Sequence, residues 1–274
     1  MFLIALRKRI PTPPILFYTI QFRKCHSVFG IKELIHQEKP DHIIIDHIAT
    51  EQRDVAVAAL KQLYLSEHVL VRARRMDLHH DNALDEYLYN LLKQGNSIWA
   101  KTVDDTLAGI CVNFASSPAD PRNLRNYAFY RQDPNTKDFL YFTAKLQETP
   151  NLWKTYNVPK IFEIKMLAVI PELRRLGLAT MLAEKSKELA RDQGYNVVRM
   201  DCINPYDYKI AERCMLHCVL KYPLHKLRGA AASFIPRGSE HNRVARVYAG
   251  ASAADAPDTE LRTRNRREYE SLLD

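Results

Sequence analysis

The apolar positions switch between a period of two and a period of about 3.6, and each switch marks an element. The branched run Ile43, Ile44, Ile45 with Ile48 predicts a strand over 42–48. From Glu51 to about Leu65, Val57, Leu60, Leu63 and Tyr64 recur at helical intervals, with Thr50 as the expected cap and an end near Ser66 and Glu67. Leu84, Leu88, Leu91 and Leu92 share one face of a second predicted helix over 84–93, stopped by Gly95. Two alternating stretches, 97–103 and 106–114, flank Asp104 and Asp105 and read as a hairpin.

Residues 115–159 break this rhythm with five prolines and several aromatics, so they read as an insertion that shapes a pocket; 138–146 is its helical part, with Trp153 and Tyr156 as anchors. An apolar strand follows over 162–169, with Phe162, Ile164, Met166 and Ala168 expected on one face and Leu167 and Val169 on the other. Pro171 ends it. After a turn through Gly177, Leu178, Leu182, Leu189 and Ala190 form the buried stripe of a helix reaching about Gln193, closed by Gly194. A strand over 196–202 completes a βαβ unit.

Charge sharpens the organisation. The 274 residues carry a formal net charge of +8. Six positive charges (Arg7, Lys8, Arg9, Arg23, Lys24, Lys32) precede the first acidic residue, while the stretch from Ala251 carries six acids against four arginines. The chain therefore divides into a basic extension over 1–41, a core over 42–250 and a tail over 251–274. Prolines 11, 13 and 14 interrupt any amphipathic targeting helix, so a cytoplasmic location is expected, with mitochondrial targeting by the extension as the alternative. A charge held mostly at one end argues against a nucleic-acid partner, and no apolar run reaches the roughly 20 residues of a membrane span. The five cysteines are odd in number and lack CxxC spacing, which indicates neither a disulfide framework nor a zinc ribbon. Cys214, His217 and Cys218, read as one helical neighbourhood, lack a fourth ligand, so no metal is expected.

The chemistry concentrates in the turn Arg174-Arg175-Leu176-Gly177-Leu178-Ala179-Thr180. At a helix start it offers free backbone N–H groups, the positive end of the helix dipole and two guanidinium groups, a setting suited to a phosphate. Its spacing is neither the dinucleotide fingerprint nor the Walker A sequence.

With Arg174, Gly177 and Ala179 in these positions, the sequence resembles the GCN5-related N-acetyltransferase superfamily, whose acetyl-CoA motif is Arg or Gln, two residues, Gly, one residue, then Gly or Ala. It is most similar to invertebrate arylalkylamine N-acetyltransferase-like proteins, because Leu167-Ala168-Val169 precedes the motif and Leu63-Tyr64-Leu65-Ser66-Glu67 ends the first helix. The resemblance covers about residues 42–250. It implies an α/β (α+β) fold: a mixed, mostly antiparallel sheet flanked by helices, with one strand splayed to open the acetyl-CoA site. It further implies that the CoA pyrophosphate lies on the amides of Arg174, Arg175, Leu176, Gly177, Leu178, Ala179 and Thr180. The pantetheine arm would run beside Leu167, Ala168 and Val169, where a free N–H near Leu167 would polarise the thioester carbonyl.

The resemblance also makes Glu67 the general base and implies a general acid after Cys202, for which Tyr208 is chosen over Tyr206. The expected activity is direct acetyl transfer from acetyl-CoA, without metal, to a small primary amine, an arylalkylamine such as dopamine, tyramine or serotonin. Tyr127, Phe129, Tyr130 and Phe139 of the insertion are candidates for the ring's wall. A polyamine acceptor, which predicts acidic pocket walls, and a catalytically impaired acyl-CoA-binding module are the alternatives; the protein is expected to be a monomer or weak dimer. Three departures bear on activity: Asp207 stands where relatives commonly have a serine, Cys214 to Cys218 replace a Gly-Phe helix ending, and His68 replaces a proline.

Overall fold

The computed structural model describes residues 42–224 and 244–252. A seven-stranded sheet runs in the order β1-β2-β3-β4-β5-β7-β6. Its strands are β1 (Ile43–His47), β2 (Ile98–Thr102), β3 (Leu107–Ser116), β4 (Ile161–Val169), β5 (Val197–Cys202), β6 (His217–Pro223) and β7 (Val244–Ala251). Every neighbouring pair is antiparallel except β4 and β5. The mixed, mostly antiparallel architecture agrees with the sequence expectation. The extension over 1–41 lies outside the described residues, as does the tail beyond Ser252; Ala251 itself belongs to β7.

One face of the sheet is covered by α1 (Arg53–Leu63), α2 (Val69–Arg74), α3 (Asn82–Leu92), α4 (Asp120–Phe129), α5 (Pro134–Glu148) and α6 (Leu152–Tyr156), whose buried side chains join Trp99, Ile110 and Met166 in one cluster. The opposite face packs against α7 (Leu178–Asp192) and α8 (Pro205–Arg213), with Leu178, Leu182 and Ala183 seated on Cys111, Leu167 and Val198. No helix among the described residues is long and apolar enough to cross a membrane.

Local chemistry sets the ends of the helices. Asp81 accepts from the Leu84 N–H at 2.9 Å and starts α3, and Gly95 at φ 74° follows its end. Thr50 does not cap α1; it begins a 3-10 turn over Thr50–Gln52 that leads into the helix. The insertion is more helical than its prolines suggest, because Pro121 and Pro134 fall within the first two helical positions, where a missing N–H costs nothing. Trp153 anchors it by donating its indole N–H to the Ser116 carbonyl at 3.0 Å.

Two further expectations are corrected. Cys214 caps α8, Met215 turns the chain at φ 59°, and His217 and Cys218 lie in β6, so these residues do not share a helix. In β4 the alternation reverses. Phe162 and Ile164 face α7 with Leu167 and Val169, whereas Met166 and Ala168 face the other helix layer. The reason is a bulge. Val112 pairs with Met166 and the next residue, Asn113, with Ile164, leaving Lys165 as the extra residue.

Candidate active site

The bulge coincides with the parting of two strands. β4 pairs with β5 only from Phe162 to Ile164, opposite Val198 to Met200, although β4 continues to Val169. Beyond Ile164 its β5-facing edge has no strand partner. Val169 shows which groups point into this gap, because its carbonyl accepts from the Arg174 Nε at 3.0 Å while the next residue, Ile170, donates its N–H to Ala108 beside β3. Leu167, two residues before Val169, turns its N–H and carbonyl to the same open side. Leu167, Ala168 and Val169 are otherwise buried, at 9%, 8% and 7% exposure, and remain paired with β3.

The turn after β4 presents unpaired N–H groups. Arg175 at φ 69° and Gly177 at φ 85° are both left-handed, which bends the backbone into a concave run of N–H groups ahead of α7. Gly177 is the N-cap of α7 and no side chain caps this end, so the first N–H groups, those of Leu178, Ala179 and Thr180, are left for a ligand or water. A Cβ on Gly177 would meet nothing within 4 Å; the glycine serves the left-handed backbone rather than a lack of space. Arg174 is half-exposed and Arg175 exposed.

Glu67 ends a 3-10 turn over Leu65–Glu67, beyond α1. Its carboxylate accepts from the Arg174 guanidinium at 2.8 Å, which joins the predicted base to the predicted anion turn. Tyr64 and His68, on either side of the Leu65–Glu67 turn, line a cavity of about 40 Å³ with Tyr87, Phe139, Phe142, Glu163, Lys165, Met166, Arg199 and Asp201. Because Ile164, Lys165 and Met166 form part of its wall, the cavity adjoins the point where β4 and β5 separate.

His68 is buried and its Nδ1 accepts from the Leu70 N–H at 3.2 Å, capping α2. Its φ of −65° is the value a proline would hold, which is why this residue fits where relatives have one. Burial lowers its pKa to about 3, so the ring is neutral. Its ring meets Phe139 edge-on at 5.1 Å and Phe142 at 6.0 Å.

The charges in the cavity cancel within it. Glu163 pairs with Lys165 at 2.8 Å and accepts from Ser116 at 2.5 Å and Gln147 at 2.9 Å; Arg199 pairs with Asp201 at 2.8 Å. Arg199 also donates to the carbonyls of Leu146 at 2.5 Å and Gln147 at 2.6 Å, tying the end of α5 to β5. None of these four charged residues was singled out by the sequence reading. The signal was present: Glu163, Lys165, Arg199 and Asp201 are charges set within otherwise apolar strands.

Of the four aromatics considered for a ring wall, Phe139 lines the cavity and the others do not. Tyr127 donates to Glu86 and Ala83, while Phe129 and Tyr130, 62% and 75% exposed, pack on each other. Tyr208 is engaged elsewhere. Its hydroxyl donates to the Val244 carbonyl, its ring lies under the Arg246 guanidinium at 4.1 Å, and burial raises its pKa. Asp207 is closer to the site. Asn204 caps α8 by accepting from the Asp207 N–H at 2.9 Å and donates its side-chain amide to the Asp207 carboxyl at 2.5 Å. Burial raises the Asp207 pKa to about 7, opposed by the Asn204 bond and reinforced by the negative charge of Glu67.

Residues 57–212 match the sequence profile of the acetyltransferase (GNAT) family. Among solved structures, mosquito arylalkylamine N-acetyltransferase like 5b is similar with a TM-score of 0.71 at 18% identity, over 77% of this chain and 100% of that one. Arylalkylamine N-acetyltransferase 2 from Aedes aegypti gives 0.70 at 22% identity, over 78% and 100%. Drosophila melanogaster polyamine N-acetyltransferase, an enzyme that catalyses the formation of N-acetylagmatine, gives 0.69 at 17%, over 77% and 100%. These likenesses define the fold. The profile match, over more than half the chain, defines the family: the protein belongs to the GNAT acetyltransferases.

Proposed function

We propose that this protein transfers the acetyl group of acetyl-CoA directly to the primary amine of an arylalkylamine. The gap between β4 and β5 and the concave N–H turn before α7 fit the two halves of CoA. The Leu167 backbone groups would pair with the amides of the pantetheine arm, and Arg175 to Thr180 would bind the pyrophosphate. The Leu167 N–H, pointing into the gap, would also stabilise the oxyanion of the tetrahedral intermediate.

Glu67 is the base in this reading. A protonated amine is not a nucleophile, and Glu67 would accept its proton once the Arg174 guanidinium turns from the carboxylate to the pyrophosphate. Departure of the thiolate needs a proton in return. The Tyr208 hydroxyl is committed to Val244, whereas the neighbouring Asp207 holds a proton up to about pH 7 beside Glu67, so we assign the donation to Asp207.

The observation that favours an arylalkylamine over a polyamine is the composition of the cavity beside Glu67. Its walls include Tyr64, Tyr87, Phe139 and Phe142, and each of its carboxylates already has a cation, Lys165 for Glu163 and Arg199 for Asp201. The distal ammonium of a polyamine would find no uncompensated negative charge there. Acetyl transfer assayed with tyramine, dopamine, tryptamine, agmatine and spermidine tests this. The aromatic amines are expected to give the highest kcat/KM; preference for agmatine or spermidine would overturn the reading, and acetyl-CoA binding with no turnover would mark a non-catalytic acyl-CoA-binding module.

A further inference from the structure

Asn113 and Ser186 are fully buried polar residues that join β3 to α7 opposite the bulge in β4. The Asn113 side-chain amide donates to the Ser186 hydroxyl at 2.9 Å and to the Asn96 carbonyl at 3.1 Å, while its oxygen accepts from the Cys111 thiol at 3.4 Å. Ser186 gives its own proton to the Leu182 carbonyl at 2.9 Å, so its hydroxyl both accepts and donates. Burying such groups is costly unless their bonds are made, and a satisfied polar network holds one arrangement where apolar contacts alone would allow sliding.

The position of this contact gives it a further role. The residues of β3 that face α7 are also the partners of the open strand: Gly109 pairs with Val169, Cys111 with Leu167 and Asn113 with Ile164. α7 is laid along the same residues. A Cβ on Gly109 would come within 3.0 Å of the Ala168 carbonyl and 3.1 Å of the Leu182 side chain, and Ser186, about one turn after Leu182, reaches Asn113. β3 therefore places both the Leu167 backbone and the start of α7. Leu182 and its apolar neighbours hold the helix against the sheet, but only the polar bond marks one point along it. Resting on the acetyl-CoA reading above, we propose that the Asn113–Ser186 bond is a positioning contact: it fixes α7 along β3 and so keeps the N–H turn and the Leu167 backbone at the separation that one CoA molecule spans.

A ligand that fills two subsites gains from their spacing, whereas a fragment that fills one does not feel it. The test is calorimetric titration of three ligands: acetyl-CoA, ADP as a pyrophosphate without pantetheine, and acetyl-pantetheine without the pyrophosphate. Each is titrated into the wild-type protein, Ser186→Ala and Asn113→Ala, with a thermal melt of every protein. Alanine suits a helix interior, so Ser186→Ala removes the bond with least other disturbance, and Asn113→Ala cuts the same bond from the strand. In both variants the Kd for acetyl-CoA should rise about tenfold or more, while the Kd of each fragment stays within about twofold. An equal loss for all three ligands, or failure of both variants to fold, would leave the contact a merely structural one and overturn the proposal. Unchanged acetyl-CoA affinity in a folded variant would overturn it too, since apolar packing would then set the helix. Wild-type protein that binds acetyl-CoA no more tightly than the better fragment, or binds neither fragment, overturns the two-subsite premise. Wild-type protein that binds no acetyl-CoA overturns the cofactor reading on which the proposal rests.

Discussion

The guanidinium of Arg174 meets the carboxylate of Glu67 at 2.8 Å across 107 positions of sequence, while its Nε holds the last carbonyl of β4. One side chain thus links the proposed base, the open strand edge and the proposed anion turn. The pair is well exposed, so its contribution to stability is small, about 0–1 kcal/mol. Its two halves should separate kinetically. Glu67→Gln is expected to lower kcat by about 10²–10⁴-fold with little change in acetyl-CoA affinity, whereas Arg174→Ala should weaken acetyl-CoA binding first. Isothermal titration with acetyl-CoA alongside steady-state kinetics checks this, and Glu67→Gln with undiminished kcat would remove that residue as base.

Gly177 isolates a backbone requirement. At φ 85°, with nothing within 4 Å of a built Cβ, an added side chain meets strain but no clash. Gly177→Ala should therefore destabilise by about 1–2 kcal/mol in urea unfolding, the left-handed cost of an L-residue, with Gly177→Asn less affected. Relaxation of that strain would turn N–H groups away from the pyrophosphate, so KM for acetyl-CoA should rise. Stability and KM both unchanged in Gly177→Ala would show that the turn does not need this conformation.

The turn and its flanking βαβ unit were legible in the sequence because period, breaker and helix stripe change together between Phe162 and Gly194. The bulge was not, since the apolar alternation through Phe162, Ile164, Met166 and Ala168 is unbroken; only the pairing with β3 shows the extra residue at Lys165. Tyr87 sits three positions after Leu84 and reads as core, which it is. That its hydroxyl lacks a partner depends on what β4, β5 and α5 place around it, and no local pattern carries that information. β6 and β7 were not legible for a related reason. They complete the sheet by pairing with each other and with β5, and Ala- and Gly-bearing Val244–Ala251 has little strand signal of its own.

Arg199 tests whether the insertion depends on β5. It is 0% exposed and holds Asp201 as well as the carbonyls at the end of α5. Arg199→Ala would leave the partly buried Asp201 carboxylate and at least two carbonyls without their partner, a loss of about 3–5 kcal/mol. The expected result is a large drop in melting temperature together with faster amide exchange in α5. Unchanged exchange in α5 would show that the helix is held by Phe139, Leu140 and Phe142 alone.

Asp207 carries a pH dependence with a defined sign. An aspartate in the unfolded chain titrates near 3.9, whereas burial pushes Asp207 up to about 7 in the folded protein, with Glu67 adding to the rise. Between those values the folded chain keeps a proton that the unfolded chain has lost. Its contribution therefore lowers stability as pH rises through that window and is constant above it. Asp207→Asn keeps an acceptor for the Asn204 amide and removes the ionisation, so its stability advantage in urea should widen from pH 4.5 to about 7 and then level off. The same proton governs turnover if Asp207 is the donor: wild-type kcat should fall as pH passes about 7, Asp207→Asn should be slow and flat across that range, and Tyr208→Phe should keep the wild-type profile. A Tyr208→Phe variant that loses the alkaline limb while Asp207→Asn retains it would return the role to the tyrosine.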